Sequence, residues 1–419
     1  MQSVPMWHCC GKEKDMLNNR QKSDLANLEA DINDVSLDRF PTKVTLTLSF
    51  TVLCAALTLS FLISGLADAT MLTSWITCLA SSAIFFNTSK KISQAVWKVL
   101  GLALAVSFFG SPVIPALFLG CTVAVGAYSS LIVSSKGRAI LTPVLLPVIA
   151  YGLSCIIGGN PIFALTALIP FIPAIPMGLY SRKDAGITTA IVSAATTMLL
   201  IVIGTAALAV RLFYGELSSA AVDSAVRDIT NLFLTYCDQT FAELEGFEYN
   251  ESIRKEFALA IEVYINSAIG IVMAACTVIA FMAARTQNAL FEAYGLDEHL
   301  TSKSTTVTVS VIAAAIFVIS MILSFSLDSS NNTSIVGIVS SNLCLALTPG
   351  LAFMGFRAIK ELPHRLGGFG TVISIVLVIV TLFFTMTYPA FIAIVGAIYV
   401  VALAIDVWAK NFYSKGDNR

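Results

Sequence analysis

The sequence predicts an all-α, polytopic transmembrane helical bundle. Three observations predict it. Hydrophobic residues make up 57% of the 419-residue chain and charged residues only 12%, about half the charge of an ordinary soluble domain. Apolar runs long enough to cross a bilayer, about 17–25 residues, recur along the chain. Basic residues gather in every second connection between those runs, the pattern left when positive charge is kept on the cytoplasmic side. A net charge of −1 gives no reason to expect a nucleic-acid partner.

Residues 1–43 are polar and form an expected cytoplasmic N-terminal tail. They lack the apolar core of a signal peptide. The tail contains His8-Cys9-Cys10, but a structural zinc site needs spaced ligands and a second cluster, so no metal is expected. The bundle runs from 44 to 409. Its apolar runs lie at about 44–66, 70–86, 95–110, 113–134, 139–158, 161–180, 186–210, 257–283, 304–327, 333–355, 368–387 and 389–409. This suggests about twelve spans, or ten to twelve given how short the second and third are. Residues 410–419 form a short cytoplasmic tail.

The loop charges support an even number of spans. Lys90 and Lys91, Lys136 and Arg138, Arg182 and Lys183, Arg285 and Lys303, and Arg357, Lys360 and Arg365 fall in alternate connections, and both termini are basic. The connections between them, such as "GLADAT" and "DSSNNTS", hold almost no basic residue. Both termini are therefore expected inside, in a multi-pass protein of the cell membrane whose surroundings are the lipid bilayer.

One connection, at about 211–256, is long and acidic and is expected on the extracytoplasmic side. Val222, Val226, Ile229, Phe233, Tyr236 and Leu244 recur at a helical period. The plain expectation is an amphipathic helix packed over the outer face of the bundle; the sharper one is a lid over a substrate path. A weak repeat links "FFGSPVIPALFLG" (108–120) with "IGGNPIFALTALIP" (157–170). Each is a hairpin turn with proline at the start of the next helix, where its missing N–H costs little.

No phosphate-binding loop, H-E-x-x-H or G-x-S-x-G pattern occurs, so the chain carries no recognised enzyme motif and no enzyme or cofactor is expected. Candidate functional residues are those that lipid penalises. Pro170, Pro173 and Pro176 recur every third residue in "IPFIPAIPMG". Each removes a helix hydrogen bond, at about 3 kcal/mol apiece within a helix, and broken spans are tolerated where they are buried or line a cavity. Glu262 and Asn266 are one helical turn apart in the eighth run. Asn342 sits in the tenth, ahead of Pro349. These six residues are the candidate cavity-lining set. For Asn342 an interhelical hydrogen bond is the ordinary alternative, and for Glu262 a position near the interface.

Four stretches, "PAIPMGLYSRKDAGITTAIVSAA", "ARTQNALFEAYGLDE", "NLCLALTPGLAFMGFRAIKEL" and "GAIYVVALAIDVWAKNF", resemble the YybS-like family of polytopic membrane proteins. Asp406 and Trp408 fill that family's closing aspartate and aromatic positions, which have no known role. The likeness spans roughly residues 95–412 and leaves residues 1–90 without a counterpart. The family is distantly similar to the substrate-binding subunits of energy-coupling-factor transporters. The resemblance therefore implies a small-molecule ligand and a partner ATPase module. From the sequence the chain reads as transport-type, and the competing expectation is a non-catalytic scaffold or assembly protein of the cell envelope that binds another membrane protein.

Overall fold

The computed structural model describes residues 42–63, 113–134, 141–158, 161–182, 186–242, 251–293, 308–326, 334–385 and 390–416. Among them the chain is all-helical, with no strand. The helices are α1 (Thr42–Ile63), α2 (Val113–Ser134), α3 (Leu141–Gly158), α4 (Pro161–Ala164), a 3-10 turn (Leu165–Leu168), α5 (Phe171–Arg182), α6 (Ile187–Tyr214), α7 (Ser219–Ala242), α8 (Glu251–Asn266), α9 (Ala268–Ala293), α10 (Val311–Ser326), α11 (Ile335–Thr385) and α12 (Ala390–Gly416). The expected runs at 70–86 and 95–110, His8-Cys9-Cys10 and most of the tails lie outside the described residues.

Four stretches are long and apolar enough to cross a bilayer: Ile187–Tyr214, Ala268–Glu292, Ile335–Glu361 and Ala390–Ala409. Shorter apolar helical stretches occur at Val44–Leu57, Gly120–Ser134, Val144–Ile156, Leu165–Ser181 and Val311–Ser326. Ile156, Ile312, Ile335, Ile398 and Ile405 all point outward, Ile335 with 81% of its surface exposed. A soluble monomer rarely presents so much apolar surface, whereas a bilayer accepts it. These features fit a membrane protein.

Two packed groups make up the bundle. The larger buries Val52, Val125, Phe171, Ala194, Ala280 and Phe291, and so joins α1, α2, α5, α6 and α9. The smaller buries Phe317, Leu351, Met354, Ala393 and Val400 from α10, α11 and α12. Helices α9 and α11 connect the groups and run parallel. Gly270 faces Asn342 near their starts, and the Phe281 and Phe353 rings stack 3.9 Å apart at the same offset further along.

Helix α11 is one helical run of 51 residues, yet it cannot be straight. Ser374 Oγ donates to the Ile359 carbonyl at 2.6 Å across a separation of 15 residues, which a straight helix would hold about 22 Å apart. The run therefore doubles back between these residues, at the connection the sequence places between two separate spans. Glu361 braces this corner by accepting from Arg357 Nε at 2.7 Å and from the Tyr399 hydroxyl of α12.

The sequence-based boundaries shift at the middle of the chain. The eighth run, expected at 257–283, divides into α8, which ends at Asn266, and α9, which starts at Ala268. The expected amphipathic segment is therefore a helical pair, α7 and α8, joined by Arg254 Nη2 and Asp238 Oδ2 at 3.1 Å. It does not lie over the bundle with its stripe covered: Val222, Ile229, Phe233 and Tyr236 are exposed, and no residue of α8 is buried.

In lipid there is no hydrophobic force pressing helices together, so close backbone approach must do it. The tightest approach joins α11 to α12. A methyl group placed on Gly396 would fall on the Leu351 carbonyl, and one placed on Gly355 would fall on the Ile392 carbonyl. Gly355→Ala or Gly396→Ala should therefore lower stability by about 1–3 kcal/mol even though alanine is the better helix former. Gly204, with nothing within 4 Å, is the control: Gly204→Ala should be neutral or stabilising. Thermal unfolding of the full chain in detergent checks the contrast.

Candidate functional site at a broken helix

The segment from Pro161 to Arg182 shows what three closely spaced prolines do to an apolar helix. Pro161 opens α4, a position where its missing N–H is not needed. Further on, Pro170, Pro173 and Pro176 cannot donate to the carbonyls four residues earlier, those of Thr166, Ile169 and Ile172. The chain adjusts to this loss. It tightens to a 3-10 turn at 165–168, bends at 169–170, and restarts as α5 at Phe171. The Thr166 carbonyl takes the Ile169 N–H at 3.2 Å instead. Pro173 then lies in the first turn of α5, and Pro176 is the proline inside it. Pro170 and Pro173 are buried and Pro176 is half-buried. The counterpart hairpin of the weak repeat keeps α2 continuous from Val113 to Ser134; Pro112 lies outside the described residues.

Hydroxyl groups accompany the break. Thr166 Oγ1 donates to Ser60 Oγ at 3.2 Å, and Ser60 bonds Ser154, so α1, α3 and the 3-10 turn share one polar chain. At the far end of α5, Ser181 Oγ lies 2.8 Å from the Met177 carbonyl and 3.1 Å from Oε1 of Gln287 on α9. Gln287 is 1% exposed, and its Nε2 has no partner. Thr122 of α2 is also fully buried, with no partner for its Oγ1. Such an atom costs about 1–3 kcal/mol of desolvation unless a water or ligand meets it.

Close packing holds the surrounding walls. Phe171 meets Tyr128 edge to face with ring centroids 4.8 Å apart. Gly178 packs on Ile132 and on the Ser129 carbonyl. Ser129 and Ser130 both donate to the Gly126 carbonyl, at 3.0 and 2.7 Å. On α9, Thr286 Oγ1 donates to the Met282 carbonyl at 2.9 Å.

The structure separates the six candidate residues into three places. The three prolines lie in the larger group, at the break. Asn266 and Asn342 meet at the joint between α8 and α9, where Asn342 Nδ2 donates to the Asn266 carbonyl at 2.6 Å and to the Ile338 carbonyl at 2.8 Å, and its Oδ1 accepts from the Gly270 N–H at 2.6 Å. The carboxamide of Asn342 is thus engaged between helices, and what Asn266 gives to that contact is its main chain. Glu262 is exposed on α8, outside the spanning helices. Asp406 is half-buried and Trp408 exposed on α12. Arg182, Lys183 and Asp184 fall outside the described side chains. Among the described residues no three His, Cys, Asp or Glu side chains are grouped as metal ligands would be.

Sequence reasoning missed Gln287 and Ser181. Gln287 sits in "ARTQNALFEA", which an eighth span ending at 283 leaves in a loop. In α9, which runs to Ala293, the same residue is inside the membrane helix. Gln287→Met keeps the length of the side chain and removes the bare polar atom. It should leave the ligand-free protein as stable as before or up to about 1–3 kcal/mol more stable, read as the melting temperature in detergent. A clear fall would mean that the amide is satisfied within the fold.

No family model matches the chain, and no curated protein or solved structure matches it either.

Proposed function

We propose that this is a multi-pass membrane protein of transport type that binds a small molecule at the proline-broken segment. One observation carries the reading: a helix interrupted inside the larger group, with bare, buried polar atoms on its neighbours, Gln287 Nε2 on α9 and Thr122 Oγ1 on α2. Broken helices place unpaired backbone carbonyls where a ligand or ion can use them. The donor at Gln287 and the carbonyls released by Pro173 and Pro176 suit a neutral or zwitterionic molecule carrying both acceptors and donors. The ion pair Arg357–Glu361, with the Tyr399 hydroxyl donating to Glu361, lies at the corner of α11, in the other group, and acts there as a brace.

In this reading the chain crosses the cell membrane about twelve times, with both tails cytoplasmic and the α7–α8 pair extracytoplasmic, as the loop charges suggest. The YybS-like resemblance adds the expectation of a partner ATPase module, since no nucleotide-binding motif occurs in the chain itself.

The test is purification from native membranes in mild detergent, with mass spectrometry of co-eluting proteins and small molecules. Wild type should carry a small molecule that Gln287→Met loses. A wild-type sample free of small molecules, or equal occupancy in both, overturns the ligand reading. Envelope-assembly proteins in place of an ATPase would indicate a scaffold. The Pro173→Ala, Pro176→Ala double variant should strengthen α5, raise the melting temperature and lose the ligand. Removing the one interior proline, Pro176, offers up to about 3 kcal/mol, while Pro173 in the first turn offers little, so a rise of a few degrees is expected.

A further inference from the structure

The joint between α8 and α9 contains an unusual hydrogen-bond arrangement. The helical pattern breaks at Ser267, but the bonds on either side are ordinary: Ser267 N–H to the Val263 carbonyl and Ile271 N–H to the Ser267 carbonyl, both 3.0 Å. The bond that should join Gly270 N–H to the Asn266 carbonyl is replaced. Asn342 of α11 accepts the Gly270 N–H on its Oδ1 and donates its Nδ2 to the Asn266 carbonyl, each at 2.6 Å. The carboxamide stands in for one peptide unit. It carries a donor and an acceptor in the same plane, so it splices into the ladder without leaving either end bare. Gly270 makes this possible, since a methyl group there would lie 2.8 Å from the Asn342 Cα.

Insertion of a side chain into a helix ladder is a recognised cause of kinks. The joint therefore has two self-consistent states. With Asn342 inserted, the ladder between α8 and α9 is interrupted at this bond. With Asn342 withdrawn, Gly270 N–H and the Asn266 carbonyl can bond each other directly, and α8 continues α9. Each state pairs the Gly270 N–H and the Asn266 carbonyl, so neither is penalised by a bare group there, the requirement for a bistable element.

What turns on this joint is the α7–α8 pair. It is held together by the Arg254–Asp238 bridge. It is tied to the end of α6 where the Tyr214 hydroxyl donates to Asp228 Oδ2 at 2.6 Å. Beyond these roots its surface is open: Leu232, Phe233, Tyr236, Leu259 and Tyr264 are all exposed, Leu232 at 71%. We propose that α7 and α8 form a hinged lid rooted at the end of the bundle where α6 finishes and α9 begins, and that Asn342 is its latch. The position of α11 against α9 then sets the position of the lid. The proposal does not depend on the identity or existence of the small molecule above.

The test places spin labels on the full chain in nanodiscs through non-natural ketone side chains at Leu232 and Ile335, and in a second sample at Ile156 and Ile398 on α3 and α12. Wild type should give one main Leu232–Ile335 distance. Asn342→Leu removes the splice and should move the main population to a second distance, an equilibrium shift of roughly 5- to 30-fold for the loss of the latch bonds. Gly270→Ala, which crowds the latch from the other side, should move it the same way. The Ile156–Ile398 distance should stay as in wild type. An unchanged Leu232–Ile335 distribution in both variants overturns the proposal. So does parallel broadening of both label pairs, which would make Asn342 a general packing residue.

Discussion

Every backbone polar group in a bilayer needs a partner from within the protein, and the rest of this structure depends on that requirement. Water cannot stand in for a missing bond inside hydrocarbon. The requirement explains why the described residues are helical throughout and why the exceptions are so specific. At 165–170 the chain retreats to tighter turns because prolines have no N–H to give. At Ser267 it borrows a carboxamide from another helix. At the corner of α11, the Ser374 hydroxyl lies on the Ile359 carbonyl. Each interruption has its own repair: the first is local, and the other two bring together segments further apart in sequence.

Much of the architecture was legible in the sequence because hydropathy reports directly on a lipid environment. The all-helical class, the apolar runs and the turn in α11 follow from composition and from the position of "KELPHRLGG". What was not legible depends on register. An apolar window cannot distinguish α8, whose exposed Leu259 and Val263 are mildly apolar, from the start of α9, so the span slid by about three turns. That slide placed Gln287 in a loop and Glu262 in the membrane. The amphipathic period of 211–256 was read from residues that do lie on a helix, but periodicity does not say whether a stripe is covered. The prolines were the reverse case. Their spacing pointed to an interrupted helix because a missing donor is a local property, but the interruption lies at 165–170, and Pro173 and Pro176 sit within α5. Asn342 was visible as a polar residue in an apolar run, while its partner, the Asn266–Gly270 pair, required knowledge of which helices run side by side.

The two groups differ in how they are held. The larger uses bulky side chains around α2 and α9, with serine and threonine hydroxyls folded back onto their own helices. The smaller adds a near contact of backbones between α11 and α12 at Gly355 and Gly396. Helix α9 belongs to the first group and reaches the second through a stacked ring pair and the Asn342 splice. One face of α9 thus contributes Gln287 to the far end of α5, and its start contributes Gly270 to the joint.

The contact between Gly355 and Gly396 has a mechanical consequence. Sliding between packed helices usually proceeds by rotamer changes, with long side chains acting as lubricant. Two glycines face to face have no rotamers and no slack, so α11 and α12 cannot shear past one another by small steps. They form a single stiff lever. Among the described residues the softer seam runs along α9, where the aromatic pair can slip and an amide can leave its slot.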